Sequence, residues 1–219
     1  TFVHVQRGPR VYPQDVELGH PFRTVTASLD GEILSVLVRE TDECTAPRIH
    51  SLIGEFSESG VRKACVRLAE QGIITQRRVG HADVYLLNRE HVAADAVIAL
   101  AELRDTLVDR ISGQLSGWEL PSAYAALFGA ATRRAMGSRS DIDLFIVRPN
   151  GIDESDPVWR GQIDSLRSRI KAWTGNGTRV LEYRERQMQD GLRLSGNPIA
   201  LTPPRSWSDR VGVDLGEQP

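Results

Sequence analysis

The chain has 219 residues, 40% of them apolar and 26% charged, with a formal net charge of -2. This balance excludes collagen-like, coiled-coil and strongly disordered chains and suits one large or two small globular domains. A charge this close to neutral exerts no overall pull toward nucleic acid, so charge has to be read segment by segment.

No apolar run reaches the roughly 18 residues that span a bilayer, so no membrane partner is expected. The first twenty residues carry Arg7, Arg10, Asp15 and Glu17 without an apolar stretch, which is unlike a secretory signal. Cys44 and Cys65 do not make a disulfide framework, and a reducing cytoplasm is the expected compartment.

Residues 1–28 contain Pro, Gly and His with short β-prone pieces at 1–6 and 23–26, and are expected to form an extended N-terminal arm. From Leu29 the pattern turns helical. Ile33, Leu34, Leu37 and Val38 share one face, and Asp30 is the expected N-cap. A second short helix is expected after Thr45, with Pro47 in its first turn and Gly54 closing it. A third starts at Ser57. Val61, Ala64, Cys65, Leu68 and Ala69 line its apolar face, and Gly72 stops it. Two β-prone runs, 73–78 and 82–87, flank Val79-Gly80-His81 and predict a hairpin. Three helices and a hairpin within about sixty residues, 29–88, resemble the winged helix-turn-helix arrangement.

A long helical stretch over 89–115 follows, with Val92, Ala96, Leu100, Leu103, Leu107 and Ile111 recurring every three or four residues. It is read as a helical linker over 89–120 and as a candidate element for a homodimer. Residues 121–219 read as a small α/β domain. A strand is expected over 123–128 and an apolar strand over 142–147. A helix capped by Asp156 and opened by Pro157 follows, then a turn at Thr174-Gly175-Asn176-Gly177 and a strand over 178–183. The fold class expected for the whole chain is α+β.

The chemistry concentrates between Gly129 and Asp143. Asp141 and Asp143 lie two apart on a predicted strand and so face the same side. Two carboxylates held together call for a positive charge between them, and Mg²⁺ binds through one or two carboxylates plus phosphate oxygens. Gly129 ends an apolar strand and opens a small-residue segment, where backbone can approach a phosphate and successive N–H groups can cradle it.

This segment resembles the signature of the DNA polymerase β-like nucleotidyltransferase superfamily, especially its minimal bacterial members. The match rests on Phe128-Gly129, Arg133 four residues after the glycine, Ser140, and Asp141-Ile142-Asp143-Leu144. The resemblance implies a domain in which Asp141 and Asp143 hold Mg²⁺ or Mn²⁺ against a nucleoside triphosphate. Gly129, the Ala130 amide, Arg133 and Ser140 would contact the nucleotide. It also implies a third carboxylate on a later strand acting as base, for which Glu182 is the candidate. One residue departs from the signature: Ala130 stands where the family has a serine, which removes one hydroxyl from the phosphate cradle.

In the N-terminal half, residues 57–81 hold five basic residues (Arg62, Lys63, Arg67, Arg77 and Arg78) and two acidic ones. The resemblance to winged helices implies that the third helix and the hairpin contact double-stranded DNA. Three functions are compatible with the sequence. The first is a metal-dependent nucleotidyltransferase with a DNA-binding domain, moving a nucleoside monophosphate to an acceptor. The second is a DNA-binding transcription regulator whose nucleotidyltransferase domain is a degenerate nucleotide sensor. The third is an antitoxin-like partner of a toxin.

Overall fold

A computed structural model describes residues 15–132, 140–190, 192–195, 198–202 and 211–214. It is an α+β structure. The N-terminal unit runs α1 (Leu29–Arg39), β1 (Cys44–Thr45), α2 (Ala46–Ile53), α3 (Glu58–Glu70), β2 (Ile74–Val79) and β3 (Ala82–Leu87). The strands form an antiparallel sheet in the order β1-β3-β2. Caps set the helix starts: Ser28, Thr45 and Ser57 each accept a backbone N–H from the first turn of the helix they precede. Ser28, not Asp30, caps α1, which frees Asp30 to pair with Arg67 on α3. Gly54 and Gly72 end α2 and α3 with φ of +77° and +79°, a conformation open to glycine without strain. Gly80, at φ +59°, turns the β2–β3 hairpin.

The stretch expected as one long helix is two. α4 (Ala94–Ala101) and α5 (Leu103–Ser116) meet at Glu102, whose backbone leaves the helical region. The break follows from packing. Val97, Ile98, Leu100 and Ala101 join the core of α1–α3, whereas Leu103, Leu107, Ile111 and Leu115 join the core of the C-terminal sheet. One straight helix cannot present its apolar stripe to two cores in different directions. Of the apolar residues assigned in sequence to a dimer element, Leu100, Leu103, Leu107 and Ile111 are thereby used within the chain, whereas Val92 and Ala96 are exposed.

The C-terminal unit is built on β4 (Tyr124–Phe128), β5 (Ile142–Arg148), α6 (Pro157–Thr174), β6 (Thr178–Arg184) and β8 (Ile199–Ala200), with strand order β6-β5-β4-β8. β7 (Leu192–Ser195) and β9 (Val211–Asp214) pair separately in parallel. β5 and β6 are parallel and need a crossover, which α6 provides. Asp156 accepts from the amides of Val158 and Trp159 and starts that helix. α5 and α6 cover one face of the sheet through Leu127, Leu144, Ile146, Trp159, Ile163 and Ile170. The other face carries Tyr124, Ala126, Phe128, Phe145 and Val147 under Met188. No described helix is long and apolar enough to cross a membrane.

Residues 15–28 do not form an extended arm. Leu18 is buried in the C-terminal core, and Phe22 is buried in the N-terminal one, within a 3₁₀ turn over Pro21–Thr24 where a strand was expected. The expected strand at 1–6 lies outside the described residues. Both cysteines are free and buried, and burial pushes the Cys65 thiol up to about 12.

Two expectations follow. Ile111→Ala empties a fully buried site and costs about 2–5 kcal/mol of unfolding free energy. Its urea midpoint should not move with protein concentration, whereas a concentration-dependent midpoint would mean that α5 packs against a second copy. Ellman's reagent should find no reactive thiol at Cys65 until the protein is unfolded.

Candidate functional site

The β5–β6 register decides which candidate residues meet. Asp143 pairs with Arg179, Phe145 with Leu181, Ile146 with Glu182 and Val147 with Tyr183. Side chains alternate along a strand, so Asp143 shares its face with Arg179, Leu181 and Tyr183. Asp141, one residue ahead of β5, lies on that same face beside Gly177. The Asp143 carboxylate lies beside Gly129 and the Asp141 carboxylate beside Gly177.

Each carboxylate sits where a glycine leaves room. A Cβ on Gly129 would meet Asp143 Oδ2 at 2.3 Å, and a Cβ on Gly177 would meet Asp141 Oδ1 at 2.2 Å, so neither position admits a side chain without moving the acid. Gly129 also holds φ +71°, a left-handed conformation that favours glycine. Its place in the sequence suggested closeness to a phosphate, but in the structure it makes space for Asp143. Asp141 is exposed, and Asp143 is 7% exposed. Asp143 Oδ1 accepts from Arg179 Nε at 2.8 Å, with the arginine side chain itself 62% exposed. An ion pair stands where the resemblance led to expect a third acid.

Glu182 is not at this site. It faces α6, where its Oε1 accepts from Trp159 Nε1 at 3.1 Å and lies 2.8 Å from Arg148 Nε, and the Arg148 side chain is 3% exposed. It is the counter-charge of a buried arginine, and a carboxylate on that face cannot reach a hydroxyl held over Asp141 and Asp143. Ala130 is half-buried, packed against the C-terminal core. Arg133 lies outside the described residues. Ser140 is half-buried, and its carbonyl accepts from Asn176 Nδ2 at 3.1 Å.

Asn176, Gly177 and Arg179 are the residues that sequence reasoning passed over. Asn176 and Gly177 looked like parts of a turn. Arg179 becomes visible only when the strand at 178–184 is set parallel to β5 in its actual register.

Asp141 and Asp143 are two oxygen donors of the kind a divalent cation takes. Two same-face carboxylates are what Mg²⁺ takes from a protein when phosphate oxygens complete its shell. Among the described residues no group of three or more His, Cys, Asp or Glu could hold a metal by itself. Arg179 occupies Oδ1 of Asp143, and Oδ2 lies beside Gly129.

The five basic candidates of the N-terminal unit are largely paired. Arg62 bonds Glu58 at 2.9 Å, Arg67 pairs with Asp30, Arg77 grips Glu43 at 2.9 and 2.6 Å, and Arg78 lies 3.2 Å from Asp83. Lys63 is exposed on α3. Glu43, Asp30 and Asp83 lie outside residues 57–81, so the local positive excess counted along the chain is cancelled in space. Arg77 holds the Glu43 carboxyl below the usual carboxylate range through its hydrogen bond.

Searches against family models, curated proteins and solved structures find no match to this chain.

Glu182→Ala should cost about 3 kcal/mol of stability, because it leaves the buried Arg148 with the more distant, exposed Glu154 carboxylate at 3.8 Å as its counter-charge. Nucleotide affinity measured by titration calorimetry on the folded variant should stay unchanged. A loss of affinity at full folding would return Glu182 to the site.

Proposed function

We propose that this protein is a DNA-binding regulator whose C-terminal domain binds a nucleoside triphosphate with a divalent cation and does not transfer it. The observation that carries this reading is the composition of the face around Asp141 and Asp143. On β6 and just before it, that face presents Gly177, Arg179, Leu181 and Tyr183, and none of these is an acid. Transfer of a nucleoside monophosphate needs a group that accepts the proton of the attacking hydroxyl. Arg179 cannot accept one, being always protonated.

Binding needs no base. Asp141 and Asp143 would hold the cation, which, when bound, neutralises the triphosphate oxygens. Arg179 would exchange its bond to Asp143 for one to a phosphate, a partner of the same charge and similar fork geometry. Gly129 lies beside Asp143, and its backbone and that of Ala130 would meet phosphate oxygens. The order β4, α6-crossed β5 and β6 supports the resemblance to the minimal nucleotidyltransferases. The order of α1–α3 and the β2–β3 hairpin likewise supports the resemblance to winged helices. A second reading, an active nucleotidyltransferase, is favoured by the same-face carboxylates seated on Gly129 and Gly177. It requires the acceptor to supply its own base.

DNA binding through Arg62, Arg67, Arg77 and Arg78 would act through arginines that already have acidic partners, with Lys63 exposed beside them. Exposed ion pairs contribute about 0–1 kcal/mol, so a phosphate can replace a carboxylate at little cost. The partners set the affinity and can be removed one at a time.

The deciding experiment incubates the protein with Mg²⁺ and each α-³²P-labelled nucleoside triphosphate, with and without cell extract. Saturable binding that is lost in Asp143→Asn, with no label passed to any acceptor, is the expected result. Label transferred by the wild type and not by Asp143→Asn establishes the transferase instead. No binding of any nucleotide overturns both readings. In gel-shift titrations, Glu43→Gln should release Arg77, tighten binding to duplex DNA and steepen its salt dependence. An unchanged affinity and slope would remove the hairpin from the DNA interface.

A further inference from the structure

The segment from Val16 to Arg23 is fastened to both units, and one of its fastenings is also a support of the candidate site. Asn176 is fully buried and every polar group of its side chain is used. Its Oδ1 accepts from the Val16 amide at 3.1 Å. Its Nδ2 donates to the Val16 carbonyl at 3.4 Å and to the Ser140 carbonyl at 3.1 Å. The Val16 amide also donates to the Thr174 carbonyl at 3.0 Å. Ser140 immediately precedes Asp141, and the residue after Asn176 is Gly177, on which the Asp141 carboxylate rests. One buried amide thus holds the backbone carbonyl just before Asp141, adjoins the glycine that leaves room for the Asp141 carboxylate, and captures Val16 in the same act.

From Val16 the chain runs straight into the N-terminal unit. Leu18 fills the C-terminal core, and four residues later Phe22 fills the N-terminal one. Phe22 lies so close to α1 that a Cβ on Gly31 would meet it at 2.7 Å. Arg23 Nε donates to Glu32 on α1 at 2.9 Å, and Arg23 Nη2 donates to Glu55 beyond α2 at 2.7 Å. His20 Nδ1 lies 3.0 Å from the same Glu32 carboxylate.

We propose that Asn176 and Val16 are positioning residues that couple nucleotide binding at Asp141 to the N-terminal unit. The proposal rests on the reading that this site binds a nucleotide. A cation and triphosphate drawing on Asp141 pull on the Ser140–Asn176–Val16 hydrogen bonds. The strap 16–23 passes that restraint to α1 through Phe22 and Arg23. Coupling of this kind is reciprocal: whatever loosens the strap weakens the nucleotide, and the nucleotide tightens the strap.

The test uses the full-length protein and the four Mg²⁺–ribonucleoside triphosphates. Val16→Pro removes the amide that bonds Asn176 and Thr174 and leaves every residue of the site in place. It should weaken triphosphate binding by about five- to tenfold, the lower range of allosteric couplings. In the unaltered protein, amide hydrogen exchange should slow at Val16 when the triphosphate binds and should not slow in Asp141→Asn. A support without coupling would leave the Val16 exchange rate blind to the ligand. Binding by the wild type with equal affinity in Val16→Pro and no ligand-dependent protection at Val16 overturns the coupling alone. Absence of binding by the wild type overturns the coupling together with the nucleotide reading. Should Val16→Pro fail to fold, the exchange measurement on the wild type decides by itself.

Discussion

Two carboxylates on one face of a strand repel each other, and the end of the β4–β5–β6 sheet is arranged around that repulsion. Asp141 and Asp143 have the same orientation because a strand repeats every two residues. Each is given room by a glycine from a neighbouring strand end, Gly129 on one side and Gly177 on the other. The charge is balanced from β6 by Arg179, which exists at that spot only because β5 and β6 run parallel in this register. The residues that fix the register are the buried ones beneath: Leu144 and Ile146 against Trp159, Ile163 and Ile170 of the crossover helix. The acids are thus an expensive feature held in place by an ordinary apolar core.

The same sheet separates two kinds of charge. On the helix-covered face, the buried Arg148 pairs with the half-buried Glu182, which also accepts from Trp159. On the opposite face, Asp143 and Arg179 pair with the arginine still in contact with solvent, where a competing anion can reach it. Burying a pair on all sides makes it structural, because its separation leaves a charge without water. Leaving one partner exposed makes it exchangeable, because water can solvate the separated charge. The N-terminal unit repeats the theme at its surface, where Arg62, Arg67, Arg77 and Arg78 each hold an acidic partner that a polyanion can replace.

Within the described residues the chain crosses between the units twice, and neither of these crossings is a loose linker. The first is the strap that puts Leu18 in one core and Phe22 in the other. The second is the α4–α5 bend at Glu102, where an amphipathic stretch changes allegiance from the first core to the second. Both crossings bury apolar side chains at each end, so movement of one unit against the other has to break packing or hydrogen bonds that include Asn176.

Local chemistry was legible residue by residue. Thr45, Ser57 and Asp156 as caps, Gly54 and Gly72 as stops, the hairpin around Gly80 and the strands carrying the Asp141–Asp143 pair all follow from short-range preferences that need no distant partner. Asp30 was misjudged as a cap because Ser28 and Asp30 are both good caps locally. Its partner Arg67, 37 residues away, draws it elsewhere. The break of the long helix at Glu102 carries no Gly or Pro, since its cause is the direction of two separate cores. What the sequence determined by itself was the set of elements, the same-face aspartates and the residue types on each surface, because helix and strand periods are properties of the backbone alone. Only the tertiary structure decided that Glu182 serves Arg148, that Arg179 faces Asp143, and that Asn176 joins Val16 to Ser140. Those outcomes depend on strand register and on contacts up to 160 residues apart, which no local pattern encodes.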